Sequence, residues 1–292
     1  MEHSISTDRA RSGPFAWLID NLSVGVSATR GIGLGHALLA AVMIALGIRG
    51  LVYGDFASVW QRIPIENLPG QTFFAYACAL IELLAGIGLL IRRTSALASC
   101  ALFVFLVLWV VLLKVPPVVA MPQMEATWLG VGEISVILAG GWTVFAMHAG
   151  AKAKRHLGFA VGMRGVRWAR LLFALALPMI GLAHFVYAKQ TADFMPKWMP
   201  APYFWVYLTG SGSIAASLGV LFAFYPRLAA TLEAAMLSII TILVWLPGLI
   251  AAPSNGAWTP FLMSTAIACG AWAVADAYRG LPWFGVGASQ HA

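Results

Sequence analysis

Charge is what this sequence has least of. Asp, Glu, Lys and Arg make up 10% of its 292 residues, where a soluble domain carries about a quarter. So thin a supply cannot cover a water-facing surface, which excludes an ordinary soluble enzyme. An apolar share of 61% excludes a disordered chain. Cysteine is scarcer still. Cys78, Cys100 and Cys269 are too few and too scattered for a disulfide framework or a zinc site. Each sits in an apolar run, where a thiol packs as a small hydrophobe. No Cys-x-x-Cys pair and no nucleophile elbow is present. Gly31-Ile32-Gly33-Leu34-Gly35 imitates a dinucleotide loop, but no strand precedes it. The early patch Phe15–Ile19 is shorter than the roughly 7–15 apolar residues of a signal peptide. Residues 1–30 therefore read as a cytoplasmic arm with one interfacial anchor.

What the chain does have is long apolar runs, with a mean hydropathy of +0.84. A bilayer core of about 30 Å takes about 20 apolar residues per helix. Windows of that size fall near 33–54, 72–91, 96–115, 127–148, 168–187, 203–224, 227–248 and 258–278. The sequence predicts an all-α integral membrane protein of eight spans.

The net charge of +7 would suit nucleic acid, but the cations cluster beside the spans, as membrane orientation requires. With a cytoplasmic N-terminus, 13 of the 18 Lys and Arg residues fall inside: Arg9, Arg11, Arg30, Arg92, Arg93, Lys152, Lys154, Arg155, Arg164, Arg167, Arg170, Arg227 and Arg279. Arg62, Lys114, Lys189 and Lys197 fall outside, and Arg49 lies within a span. Both termini are expected in the cytoplasm, with the lipid bilayer and not nucleic acid as the partner. Trp60, Trp128, Trp198, Trp205 and Trp258 gather on the outer side with Tyr203 and Phe204. They read as an interfacial belt or as an aromatic mouth over a site.

The halves resemble each other. Gly47–Tyr53 matches Gly181–Tyr187, and Trp142 matches Trp272. Tyr76, Ala85, Gly88, Leu90, Leu97 and Ala98 recur 131 residues later as Tyr207, Ala216, Gly219, Leu221, Leu228 and Ala229. Four spans per copy is an even number, so the expected repeats are parallel. The expected organisation is an arm over 1–30, a four-helix repeat over 31–150, a basic linker over 151–166, a second repeat over 167–279 and a tail over 280–292. Each repeat is expected to be a four-helix bundle.

His184-Phe185, Phe194-Met195-Pro196-Lys197-Trp198-Met199-Pro200-Ala201-Pro202 and Trp205-Val206-Tyr207-Leu208-Thr209-Gly210 together resemble the DoxX family. Ile81–Leu90, with Glu82, is similar to that family's second helix, as is Arg92-Arg93-Thr94 before an alanine-rich span. The resemblance implies a tandem of two DoxX-like four-helix units in a bacterial inner membrane. It further implies a quinone-linked oxidoreductase subunit or redox accessory, with a redox enzyme as partner and quinone as the associated cofactor. It transfers no catalytic motif, so catalytic residues stay unassigned. Ser213 stands where the second copy would hold Glu82.

Ionisable residues inside a span cost about 2.5–3.5 kcal/mol on insertion scales and need a reason. Arg49, Glu82 and Glu133 form the expected buried polar cluster, read as a static ion pair, as a proton or substrate site, or as separate lipid-facing or loop-solvated positions. Their counterparts Ala183, Ser213 and roughly Met263 are uncharged, so a site there would be asymmetric. Glu233 falls in the inner third of its span. His184, with Trp198 and Tyr207, is a candidate ligand contact at the outer mouth. No metal centre is expected. His36 and His184 differ by 14 residues in repeat register, about 21 Å of helix rise, too far to share a haem. His148 and His156 read as solvated at the inner surface. The alternatives to a redox subunit are a carrier or binding protein for a small lipophilic or organic molecule, and a scaffold for another membrane enzyme.

Overall fold

Among the described residues, eight long helices form where the apolar windows place them: α1 Leu34–Tyr53, α2 Gln71–Leu90, α3 Ser95–Ala120, α4 Glu125–His148, α5 Gly162–Val186, α6 Pro202–Leu221, α7 Pro226–Ala251 and α8 Asn255–Asp276. All are long and apolar enough to cross a bilayer, which makes this a multi-pass membrane protein. The structure, a computed structural model, describes residues 33–54 and 69–286 together with Leu22 and Phe56. The rest of the 1–30 arm, Trp60 and Arg62 in the first long loop, and residues 287–292 lie outside the described residues. Among the described residues the β contacts reduce to one isolated bridge, Phe224 with Val286. Because eight is even, α1 begins and α8 ends at one end of the bundle. We call that end proximal and the other distal.

Two of the helices change pitch. A π turn spans Val110–Lys114 in α3 and another spans Thr241–Trp245 in α7. Each ends one residue short of a proline, Pro116 or Pro247. Proline offers no N–H, and its ring crowds the carbonyl four residues back, so the turn before it widens. The bounds of α6, of α7 and of its π turn all fall 131 residues after those of α2, α3 and its π turn. Packing repeats too. A Cβ on Gly88 would meet Ala98 Cβ at 2.7 Å, and one on Gly219 would meet Ala229 Cβ at 2.7 Å.

Within each half the first helix packs on the second, the second on the third and the third on the fourth. The first and fourth, however, touch only at a few residues. α4 instead packs along α5, α8 along α1, and α4 and α8 cross each other. The four helices of one half therefore do not close into a bundle alone. Each lobe is completed by the fourth helix of the other half. The crossing is possible because it is made of glycine: a Cβ on Gly140 would lie 2.6 Å from Gly270 Cα, and one on Gly270 would lie 2.7 Å from Val136 O.

The proximal end is tied by Arg170, which stands within α5 and is fully buried rather than free among the inner cations. Its guanidinium donates to Leu22 O at 3.0 Å and to Ala277 O at 2.6 Å, and lies 3.6 Å over the Tyr278 ring. Burial pushes the Tyr278 phenol up, against the pull of Arg170. Asp276 accepts from Gly35 N at 2.6 Å and pairs with Arg279 at 2.7 Å. Lys114 also departs from its expected place outside the membrane, since it is buried in the π turn of α3.

Candidate functional site

Arg49 stands near the distal end of α1. It donates to Asn255 Oδ1 at 2.8 Å and lies 4.5 Å from the Tyr53 ring and 5.2 Å from the Trp258 ring. Its partners thus come from its own helix and from α8, and neither Glu82 nor Glu133 is among them. Two facts of packing explain this. Glu82 lies 8 residues from the proximal end of α2 and Arg49 lies 15 from that of α1, a difference of about 10 Å in depth. Glu133 matches Arg49 in depth, but α4 faces α5 where the predicted bundle would have turned it to α1. Glu82 is fully buried and Glu133 half-buried. The structure therefore brings no three-residue cluster together around Arg49.

His184 and Tyr207 do lie on facing helices. A Cβ on Gly210 would touch His184 Cβ at 2.9 Å, and Tyr207 stacks on Phe185, the neighbour of His184, at 5.7 Å. The His184 ring bonds back to Ile180 O at 2.9 Å, and Trp198 stands exposed in the distal loop. At the proximal end His148 is half-buried rather than solvated, and its ring meets that of His36 edge-on at 4.7 Å. Both rings also bond to backbone carbonyls, His36 Nε2 to Leu89 O and His148 Nδ1 to Val144 O, each at 2.9 Å.

A wide concavity lies elsewhere, between α6 and α7. It is a groove of about 640 Å³, lined by small and apolar residues that include Gly212, Ala215, Leu218, Phe222, Leu232 and Met236. Leu218, Phe222 and Leu232 on its rim are about half exposed, so it opens sideways on the apolar flank. Glu233 is the one charged residue of the lining among the described residues. It is 1% exposed, and its Oε1 accepts from the Ser213 hydroxyl at 2.9 Å. Its Oε2 has no hydrogen-bond partner. A small-residue stripe on α6 makes the groove, because Gly212 and Ala215 leave room where larger side chains would fill it. Met236 lies over Gly212, its sulfur 3.1 Å from where a Cβ would stand.

Further hydrogen bonds fix these helices. Ser217 donates to Ala174 O on α5 at 2.6 Å, the Trp272 indole of α8 to Ser238 Oγ at 3.0 Å, and Thr241 meets Ser264 at 2.6 Å. At the proximal mouth the tail packs on the α6–α7 turn. Tyr225 N donates to Gly285 O at 3.0 Å, and Arg227 donates to Leu281 O at 2.6 Å while lying 4.0 Å over the Trp283 ring. Ala223 and Tyr225 in that turn hold positive φ, 51° each, a conformation that costs L-residues energy unless neighbours impose it.

The Ser213–Glu233 pair was not expected from the sequence, although a signal for it exists. The two residues are equally far from residue 223, the centre of the α6–α7 turn, so an antiparallel hairpin must bring them level. Ser213 lies 131 residues after Glu82, and Glu233 lies 131 after Leu102. Both halves thus carry a buried carboxylate at this level, on the second helix in one and on the third in the other.

Comparison with known proteins gives one family match: a model described as "Domain of unknown function (DUF8561)" covers residues 173–256. That stretch runs from α5 to the start of α8 and contains the whole Ser213–Glu233 groove. No curated protein and no solved structure matches the chain.

Proposed function

We propose that this chain is a bacterial inner-membrane protein of two parallel DoxX-like repeats with both termini cytoplasmic, and that it binds or carries a small lipophilic molecule taken from the bilayer. The observation that supports this reading is the open apolar groove between α6 and α7 with one buried carboxylate on its floor. Its volume of about 640 Å³ lies in the range of small-molecule pockets, about 300–1,000 Å³, where a mostly apolar wall supplies affinity and a few polar groups orient the ligand. A lateral opening lets a lipid-soluble molecule enter without crossing the headgroups. The recurrence of helix bounds at 131 residues supports the repeat.

The quinone-linked redox role is a second reading, and it rests on the resemblance of Ile81–Leu90 and His184–Gly210 to the DoxX family. A quinone is itself a lipophile with an apolar tail, so one experiment separates the two. The protein is purified in mild detergent beside an Ala215→Trp variant, whose indole fills the groove from an exposed position on α6. Organic extracts of both are then analysed. A lipophile bound to the wild type and missing from the variant supports the binding reading. Quinol-dependent electron transfer would support the redox reading. Identical extracts without electron transfer would refute both.

A further inference from the structure

Resting on the reading of the groove as a ligand site, we propose that its ligand is a lipophilic cation, an apolar body carrying one positive charge that is neutralised by Glu233. Three observations lead there. The carboxylate is 1% exposed on the floor of an apolar groove. Only one of its oxygens is satisfied, by Ser213, and Oε2 is bare. No Lys, Arg or His lines the groove among the described residues. A carboxylate held in hydrocarbon without a counter-charge is a standing cost, and unlike charges attract far more strongly there than in water. A cation entering from the side brings the missing partner with it. A lipid tail, or a neutral lipophile without a hydrogen-bond donor, covers Oε2 with carbon and gains nothing from it.

The site is built for a head that arrives rather than one already present. Ser213 fixes Oε1, so the free oxygen keeps one orientation. Met236, one turn beyond Glu233 on the same face, is flexible and can yield as the charge approaches. The small residues Gly212, Ala215 and Ala216 on α6 leave room for the body. Leu232 and Leu218 flank the opening, and the aromatic residues Phe222 and Tyr225 close its proximal end.

The test is calorimetric titration of the full-length protein in mild detergent with tetraphenylphosphonium, with its neutral relative triphenylphosphine oxide, and with decylubiquinone. The expected result is that the wild type binds the phosphonium at least tenfold tighter than the oxide. Glu233→Gln, which keeps shape and hydrogen bonding, should lose that preference, and Glu233→Asp should restore most of it. Ala215→Trp should weaken every groove ligand. Thermal melting of each variant shows that it is folded, and the wild type's preference for the phosphonium over the oxide carries the test if Glu233→Gln does not fold. Phosphonium binding unchanged in Glu233→Gln would overturn the cation proposal. So would decylubiquinone binding that Ala215→Trp blocks and Glu233→Gln leaves alone, although the groove would then remain a ligand site. Failure of all three probes to bind would overturn this proposal and count against the groove as well.

Discussion

Gly140 and Gly270 occupy corresponding places in the two halves and touch each other where α4 crosses α8, with a Cβ on the first predicted to fall 2.6 Å from the Cα of the second. Counterparts that meet lie on the axis relating two copies. In the proposed parallel repeat, this crossing is where the axis runs. It also explains why neither half closes alone, since the fourth helix of each is drawn across the middle to face its equivalent.

A side chain at that crossing has nowhere to go. Gly140→Ala and Gly270→Ala should each destabilise the protein by about 1–3 kcal/mol, the usual cost of overpacking, and Gly140→Leu should prevent a monodisperse product. Gly150→Ala is the control, since nothing lies within 4 Å of a Cβ there. Thermal unfolding in detergent, followed by tryptophan fluorescence, measures all four. Equal melting of Gly140→Ala and Gly150→Ala would contradict the packing.

Arg170 makes a different kind of joint. One guanidinium reaches two carbonyls and a ring, which a point-charge ammonium cannot reproduce. Arg170→Lys should therefore be nearly as damaging as Arg170→Met. Each charged hydrogen bond lost is worth about 1.5–3 kcal/mol. Tyr278→Phe keeps the stacking face and should cost little, whereas Tyr278→Leu should cost more. The ordering of the four melting temperatures is the check. A Lys variant as stable as the parent would mean that charge alone holds the joint.

Arg49 and Glu82 differ in depth by about two turns and share no contact, so their effects should add. In a double-mutant cycle of Arg49→Ala with Glu82→Gln, the coupling energy should stay within about 0.3–0.5 kcal/mol, the limit for independent sites. Arg49→Ala with Asn255→Ala should couple more strongly, since the two bond at 2.8 Å. Strong coupling in the first cycle would restore the ion pair that the sequence invites.

The spans were legible in the sequence because hydrocarbon imposes one requirement on every residue, and an apolar run meets or fails it locally. Which helix stands beside which was not legible. Reading Arg49 against Glu133 assumed that α1 faces α4, and nothing in either span reveals that α8 takes that place. That choice is made at Gly140 and Gly270, two glycines in a chain with 29. The groove was missed for a related reason. Repeat register sets Ser213 opposite Glu82, but the buried acid of the second half stands on the adjacent helix as Glu233, outside any position-by-position match. Arg170 and Lys114 lie inside apolar windows of the sequence, and only their charge counts them with the flanking loops. The lengths of α5 and α3 carry both inside.

The orientation of the bundle follows from where charge remains once those two residues are set aside. Removing Arg170 from the inner set and Lys114 from the outer leaves 12 cations against 3, and short basic loops resist translocation. The proximal end should therefore face the cytoplasm, carrying both termini with it. Two exposed loop positions report this independently of the ends: Gln123, between α3 and α4 at the distal end, and Gly158, between α4 and α5 at the proximal end. In intact cells Gln123→Cys should react with a membrane-impermeant maleimide, and Gly158→Cys should react only after permeabilisation. Reporter fusions at Met1 and Ala292 should both read cytoplasmic. Labelling of Gly158→Cys from outside, with Gln123→Cys protected, would invert the bundle without disturbing its fold. Termini found on opposite faces would instead refute the eight-span count.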